Sequence, residues 1–231
     1  MSGLRQGQYS TEYIVIMGIG IGIIAIFLVY VTYLYGSFAV SSAANQITNV
    51  ANTLAEETNY VSSQGPGSVQ AFPISVPLIQ PQHSFFCGNI IKLQTSTELG
   101  ISRPGSNVSG MLPLSGGTYN SFARDEGESV LIGMQFPIAL VQQSYSVSVS
   151  GSTASLSYSL SFYNFSGGLA AASFNMSVFS TDGAYITSGA GSTGSGQISG
   201  SLALPYSSPT QYVVEIYPSG SGDYSSTCIS V

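Results

Sequence analysis

The sequence predicts an α+β protein: a long N-terminal α-helix followed by an antiparallel β-sandwich-like domain. Three observations lead to this prediction. Residues 13–40 are almost wholly apolar, and residues 41–62 keep apolar side chains at helical spacing. The rest of the chain alternates short strand-like stretches with Gly, Pro and Ser. The expected parts are an N-terminal leader of residues 1–7, a helix of residues 8–62 and a β-rich domain of residues 63–231.

The first half of the predicted helix is long and apolar enough to span a membrane. No charged residue lies between Glu12 and Glu56, and about 20 apolar residues cross a bilayer as a helix. No proline occurs before Pro66, so nothing forces a break. A helix that is apolar on all sides must be buried in lipid or in protein.

Two glycines in this half, Gly18 and Gly22, form a small-xxx-small pair. Such a pair lets a second helix approach closely. The alternative is that an apolar helix simply tolerates glycine at these positions.

The second half of the predicted helix is amphipathic. Its apolar residues recur at spacings of three, four or seven, and they are Ala44, Ile47, Val50, Ala51, Leu54 and Val61. Polar side chains occupy the other face. We therefore expect this apolar stripe to dock onto the downstream domain.

The downstream part reads as a series of short strands. Strict alternation of apolar and small polar residues predicts strands with one buried face. The segments expected as strands are 130–141, 144–150, 155–165, 174–179, 197–204 and 211–217. The Gly- and Ser-rich segment 187–197 is expected to be a flexible hairpin or loop.

Composition favours a location outside the cytoplasm. Only 6% of its 231 residues are charged, although 44% are hydrophobic, whereas about a quarter of the residues of soluble domains are charged. The net charge is −6 with four basic residues, so we expect no nucleic-acid partner, because phosphate binding needs clustered Lys and Arg.

The two cysteines, Cys87 and Cys228, fit one disulfide in an oxidising compartment. The alternative is two buried free thiols. A zinc site is not expected, because two cysteines and one histidine fall short of four ligands.

Three N-x-S triplets suggest N-glycosylation of an exported surface, at Asn107, Asn164 and Asn175. A Ser- and Asn-rich chain also produces such triplets by chance.

No active site is expected. His83 has no recognisable nucleophile or acid partner in the sequence. The acids Asp125, Glu126 and Glu128 lack EF-hand spacing, so a solvated loop is favoured over calcium binding. We therefore predict no catalytic residues, no metal, no cofactor and no enzymatic activity.

The segment GQYSTEY, residues 7–13, resembles the class III signal sequence of archaeal type IV pilin-like proteins. In that family a prepilin peptidase cuts on the cytoplasmic side just before a glutamine, and a glutamate follows at the fifth mature position. Counted from Gln8, Glu12 is the fifth residue. The basic residue Arg5 and the long apolar helix complete the pattern, so the resemblance covers residues 3–40.

The resemblance implies cleavage after Gly7, which creates a positive α-amino group at Gln8. It also implies a membrane-bound precursor that an ATPase and a membrane platform assemble into a filament. Glu12 would then pair with the amine of a neighbouring subunit, because a carboxylate in an apolar bundle is costly unless paired. Alternatively, Glu12 lies in the headgroup region near a helix N-terminus, where acids are favoured.

The predicted function is therefore a structural subunit of an extracellular, homo-oligomeric filament on the cell surface, for adhesion or cell–cell contact. One alternative is a minor pilin or an archaellum-type subunit with the same signal. Another is a membrane-anchored monomeric surface binding protein whose helix never leaves the bilayer. An exported hydrolase would need acids, histidines or metal ligands in a constellation that the sequence does not present.

Overall fold

A computed structural model of the chain describes the backbone of residues 3–151, 153–205 and 211–230, and their side chains except at 3–12, 35–43 and 230. Helix α1 spans Gly3–Gln64, two to five residues beyond the predicted ends. It stops where Gly65 takes a φ of 92°, a left-handed conformation that glycine adopts without strain.

The strands follow α1 in chain order. They are β1 (Val69–Val76), β2 (Phe85–Cys87), β3 (Ile90–Gln94), β4 (Leu99–Ser102), β5 (Val108–Pro113), β6 (Gly117–Asp125), β7 (Val130–Met134), β8 (Leu140–Ser150), β9 (Thr153–Tyr163), β10 (Ala172–Ser180), β11 (Tyr185–Thr193), β12 (Gln197–Pro205), β13 (Gln211–Pro218) and β14 (Asp223–Ser230). A 3-10 turn, Pro81–His83, precedes β2.

The strands form three sheets. The largest has the order β1-β6-β7-β5-β14-β13-β10-β11, and the smaller ones have the orders β12-β9-β8 and β2-β3-β4. Only the β5–β7 pair is parallel among the described pairings. The prediction of an α+β chain, with an N-terminal apolar helix and a mostly antiparallel β domain, is confirmed.

The chain divides into two compact units, residues 1–43 and 44–231. The division falls inside α1, not at its end. Residues 44–64 belong to the β-rich unit because their apolar stripe is part of its core. The described residues of the first unit are helical.

The apolar stripe of α1 packs against the β-rich unit, as its spacing predicts. Ile47, Ala51 and Leu54 are completely buried. Gly100 on β4 lies so close that a Cβ there would come within 2.7 Å of the Ile47 carbonyl oxygen. Near the end of the helix, the Gly105 N–H donates to Asn59 Oδ1 at 2.6 Å. The helix therefore docks through burial of its apolar stripe, close approach of the two backbones and one hydrogen bond.

Two apolar clusters form the core. The first joins the helical stripe to side chains of β1, β2, β3, β5, β6 and β7 and to Tyr224 of β14. The second lies between the eight-stranded sheet and the sheet β12-β9-β8. In the second cluster the rings of Phe162 and Phe174 lie 5.4 Å apart between their centroids. The eight-stranded sheet thus buries side chains of both its faces.

The prediction of a flexible segment at 187–197 is wrong. Most of it belongs to β11, which pairs with β10 at the edge of the large sheet. A Cβ at Gly191 would lie 2.9 Å from the Phe174 ring, and one at Gly189 would contact Met176 and Leu202. Small residues here leave room for neighbouring side chains and do not mark a linker.

The predicted strand 130–141 is two strands. β7 ends at Met134 and β8 begins at Leu140, and the chain passes from the large sheet to the sheet β12-β9-β8 between them. The Met134 N–H donates to the Ala139 carbonyl at 3.0 Å, which closes the turn. Pro137 lies in this turn, where its missing N–H costs no ladder hydrogen bond.

Candidate functional site

The candidate site is an apolar helical surface, Tyr13–Leu34. Its 22 residues have a mean hydropathy of 2.9, and none of the segment is buried within the chain. Ile26 and Tyr33 are 73% and 75% exposed. The segment is long and apolar enough to cross a membrane, so it fits a membrane anchor or a signal sequence.

The segment has few polar side-chain atoms. Thr32 is its only serine or threonine, and its hydroxyl donates to the carbonyls of Leu28 at 3.0 Å and Val29 at 2.9 Å. The remaining polar side-chain atoms are tyrosine hydroxyls, which suit the interface between an apolar medium and water. This distribution fits a segment in an apolar medium, with tyrosine hydroxyls near its two ends.

Gly18 and Gly22 lie one helical turn apart on one side of α1. Among the described residues, no atom beyond the local backbone of the helix and the adjoining residues lies within 4 Å of a Cβ built at either position. A second helix can therefore approach the backbone closely at this point.

The leader junction and the acid of the predicted signal lie outside the described side chains. Gly7, Gln8 and Glu12 fall within the helical backbone of α1, and their side chains belong to the undescribed range 3–12. Their cleavage and assembly roles stay predictions.

Cys87 and Cys228 form a disulfide across 141 positions of sequence, with their Cα atoms 4.8 Å apart. It joins β2 of the small sheet to β14 in the interior of the large sheet. The Tyr224 hydroxyl donates to the Ser84 carbonyl at 2.9 Å beside this link. The disulfide thus fixes one sheet on the other.

The three glycosylation triplets have different surroundings. Asn107 and Asn175 are exposed, the first in a loop and the second on β10. Asn164 is half-buried, and its Oδ1 accepts hydrogen bonds from Gly168 N–H at 2.9 Å and from Ser166 Oγ at 2.8 Å. Because the serine of its own triplet holds this amide in a turn, Asn164 is the least accessible acceptor.

The sequence did not predict two buried acids, Glu215 on β13 and Asp223 on β14. Both are fully buried, and burial raises the pKa of each carboxyl to about 7. The Tyr217 hydroxyl donates to Glu215 and the Ser221 hydroxyl to Asp223, which lowers each pKa by a smaller amount. An acid inside a continuous apolar run, YVVEIY at 212–217, was the available signal for Glu215.

The acidic cluster at 125–128 is only partly a solvated loop. Arg124 pairs with Glu126, while Asp125 is buried at the end of β6 and its Oδ1 accepts from the Gly127 N–H at 2.7 Å. The described residues contain no group of three or more His, Cys, Asp or Glu side chains placed to hold a metal ion. Asp125 therefore stabilises the turn at 125–127, while Glu126 and Glu128 are exposed.

An open cleft of 280 Å³ lies between β1, β6 and the turn 163–167. Phe122 and Phe165 meet there edge to face, with ring centroids 6.0 Å apart. None of its lining residues is a histidine, cysteine, aspartate or glutamate. The lining residue Arg124 forms an ion pair with Glu126. This lining offers no pair for acid–base or nucleophilic chemistry.

The structure thus defines a class: an α+β chain with a membrane-length apolar helix and a disulfide-linked, mostly antiparallel β domain. No protein-family model matches the chain. No curated protein matches it either. Among solved structures it is similar to the crystal structure of a DUF3823 family protein from Bacteroides ovatus, with 8% identity and a TM-score of 0.31 over 62% of this chain and 75% of the other.

Proposed function

We propose that the chain is a structural subunit of an extracellular type IV pilus-like filament, assembled through its apolar N-terminal helix. The filament would serve surface adhesion or cell–cell contact. The observation that carries the proposal is the exposed apolar surface Tyr13–Leu34, which begins where the signal-like motif at residues 7–13 ends.

The exposed apolar segment must be covered by lipid or by protein. Its large apolar side chains would each cost roughly 1.5–3 kcal/mol to keep in water, which sums to tens of kcal/mol. Lipid can cover this surface in a precursor, and the same segments of other copies can cover it in a filament. Transfer from lipid to a helical bundle keeps the apolar surface away from water throughout.

Glu12 gives the bundle its axial register in this proposal. After removal of residues 1–7, the α-amino group of Gln8 carries a positive charge. In an apolar bundle that amine and the Glu12 carboxylate of a neighbouring copy relieve each other's desolvation cost. Gly18 and Gly22 permit the close helix contact that the pairing needs.

The β-rich unit would form the outer surface. We infer that its eight-stranded sheet and the sheet β12-β9-β8 are the two layers of a β-sandwich, because they share one apolar cluster. A disulfide, exposed N-x-S triplets and a low content of charged residues support placement outside the cell.

The test compares filament yield for the wild type, Glu12→Ala and Glu56→Ala. Glu56 is an exposed acid of the same helix, outside the apolar segment, and serves as the matched control. Sheared surface filaments and cell membranes are quantified separately with an antibody against the β-rich domain. We expect Glu12→Ala to lower the filament fraction by about tenfold or more, which corresponds to 1.4 kcal/mol, and Glu56→Ala to leave it unchanged.

Two outcomes would contradict the proposal at different levels. An unchanged filament yield with Glu12→Ala would remove the register role alone. If the wild-type chain stayed entirely in membranes and none were found in sheared material, the proposed filament function would be wrong. The alternative of a membrane-anchored binding protein would then be favoured.

A further inference from the structure

Strand β8 is an unprotected edge of the sheet β12-β9-β8. It is 11 residues long, Leu140–Ser150, and it pairs with β9 in one unshifted antiparallel register. No other described strand pairs with it. Its far side therefore presents a row of backbone groups.

The outward groups can be assigned from the ladder. The Phe162 N–H of β9 donates to the Gly196 carbonyl at 2.8 Å, on the β12 side. Successive residues of a strand point their backbone N–H and C=O groups to opposite sides. The backbone groups of Ser157 and Ser159, at odd spacings from Phe162, therefore point towards β8. Their partners Ser146 and Ser144 use their backbone groups in that pairing. The backbone groups of Tyr145, Val147 and Val149 therefore point away from β9, and no backbone partner for them occurs among the described residues.

Other described edges carry features that discourage pairing with another chain. β1 contains Pro73, and β2 and β4 have three and four residues. β11 has a register shift where it pairs with β10. β12 ends with Pro205, and its first carbonyl, that of Gln197, already accepts a hydrogen bond from the Thr193 hydroxyl at 2.7 Å. Proteins protect edges with such features and with charges, and β8 has neither proline, bulge nor charge.

The outer face beside this edge carries no charged side chains. Strands β8, β9 and β12 contain no Asp, Glu, Lys or Arg. Serines from the three strands stand in rows, for example Ser146, Ser157 and Ser201. Two copies of a chain with a net charge of −6 repel each other, and the repulsion is weakest where the approaching faces are neutral. Small hydroxyl side chains also leave the strand edge open.

We propose that β8 is an interaction surface for a second copy of this chain, whose own β8 pairs with it in antiparallel orientation. The unpaired N–H and C=O groups of an edge strand can form hydrogen bonds with another extended strand. A two-fold contact between identical edges satisfies both copies at once and joins two three-stranded sheets into one. The contact lies in the β-rich unit and does not depend on the filament function of the apolar helix.

The first test is site-specific cross-linking of the full-length chain in detergent micelles. Ser146→Cys places a thiol at the proposed edge, and Ser201→Cys places one in the same row of the same face, two strands away, or about 10 Å. The native cysteines are bonded to each other and do not compete. With a short bis-maleimide we expect a cross-linked dimer for Ser146→Cys and only background for Ser201→Cys. Association through the apolar helix alone would give equal yields and overturn the proposal.

The second test blocks the edge. Val149→Pro removes an N–H that points away from β9 and introduces a proline at an exposed position. Added to Ser146→Cys, it is expected to abolish the dimer while the protease resistance of the β-rich unit is retained. An unchanged dimer would overturn the proposal. In cells, Ser146→Cys cross-linked to a different protein and never to itself would assign the edge to another partner and also overturn it.

Discussion

Loss of the Cys87–Cys228 disulfide is expected to lower the free energy of unfolding of the β-rich unit by roughly 5 kcal/mol. The bond closes a loop with a sequence separation of 141. Chain-entropy arguments give long loops the largest stabilisation, because cross-linking removes the most freedom from the unfolded chain. The disulfide also joins two different sheets, so the packing of one sheet against the other depends on it.

The measurement is guanidinium unfolding of the full-length chain in micelles, followed by the fluorescence of its 15 tyrosines. The double variant Cys87→Ser/Cys228→Ser is compared with the wild type. Ser96→Ala, at an exposed turn position between β3 and β4, serves as control and should leave the midpoint in place. A double variant within about 1 kcal/mol of the wild type would contradict the expectation, because it would place the effect well below the loop-closure value.

Glu215→Gln is expected to stabilise the β-rich unit above pH 7 and to leave its stability near pH 4 almost unchanged. Burial raises the pKa of Glu215 to about 7, and the hydrogen bond from Tyr217 opposes this only in part. Glu215 Oε1 and the nearby Ser226 Oγ lack hydrogen-bond partners among the described residues. An amide at this position carries no charge at any pH, and, like the protonated carboxyl at low pH, it can donate a hydrogen bond to that hydroxyl.

The direction of the pH dependence follows from proton linkage. The pKa of Glu215 is about 7 in the folded chain and about 4.3 in an unfolded chain, so the folded state binds more protons between these values. Its stability therefore falls as the pH rises from about 4 to about 7, and the full cost is roughly 4 kcal/mol. Asp223, with a folded pKa also about 7, acts in the same direction. The wild type should be more stable at pH 5 than at pH 8.

Urea midpoints of the wild type, Glu215→Gln and Glu56→Gln at pH 4.5 and pH 8 decide the matter. Glu56 is exposed, and its amide variant should follow the wild type at both values. If Glu215→Gln also ran parallel to the wild type, the buried carboxyl would not be the source of the pH dependence.

Periodicity predicted the fold well where one face of an element is buried. The stripe through Ile47 and Leu54 lies in the core, and the alternating segments 144–150 and 155–163 lie in the paired strands β8 and β9. Both patterns arise because one side chain in two, or one helical face, meets the core. Local sequence carries that information directly.

Non-local packing set the limits of the prediction. Strand β11 was missed because its glycines accommodate the Phe174 ring, a residue of another strand. Short strands such as β2, with three residues, contain too few positions to show any period. The acid Glu215 lies in an apolar run, and its burial follows from packing on both faces of β13. The junction at Gly7 and Gln8 and the role of Glu12 rest on the resemblance of residues 7–13 to a signal sequence, and they stay predictions.

The most direct test of the central claim is the intact mass of the chain recovered from sheared cell-surface filaments. We expect these filaments, visible by electron microscopy, to contain the chain with Gln8 as its first residue and with the segment Tyr13–Leu34 retained. Chain that is found only in membranes, or that carries Met1 in the assembled material, would contradict it.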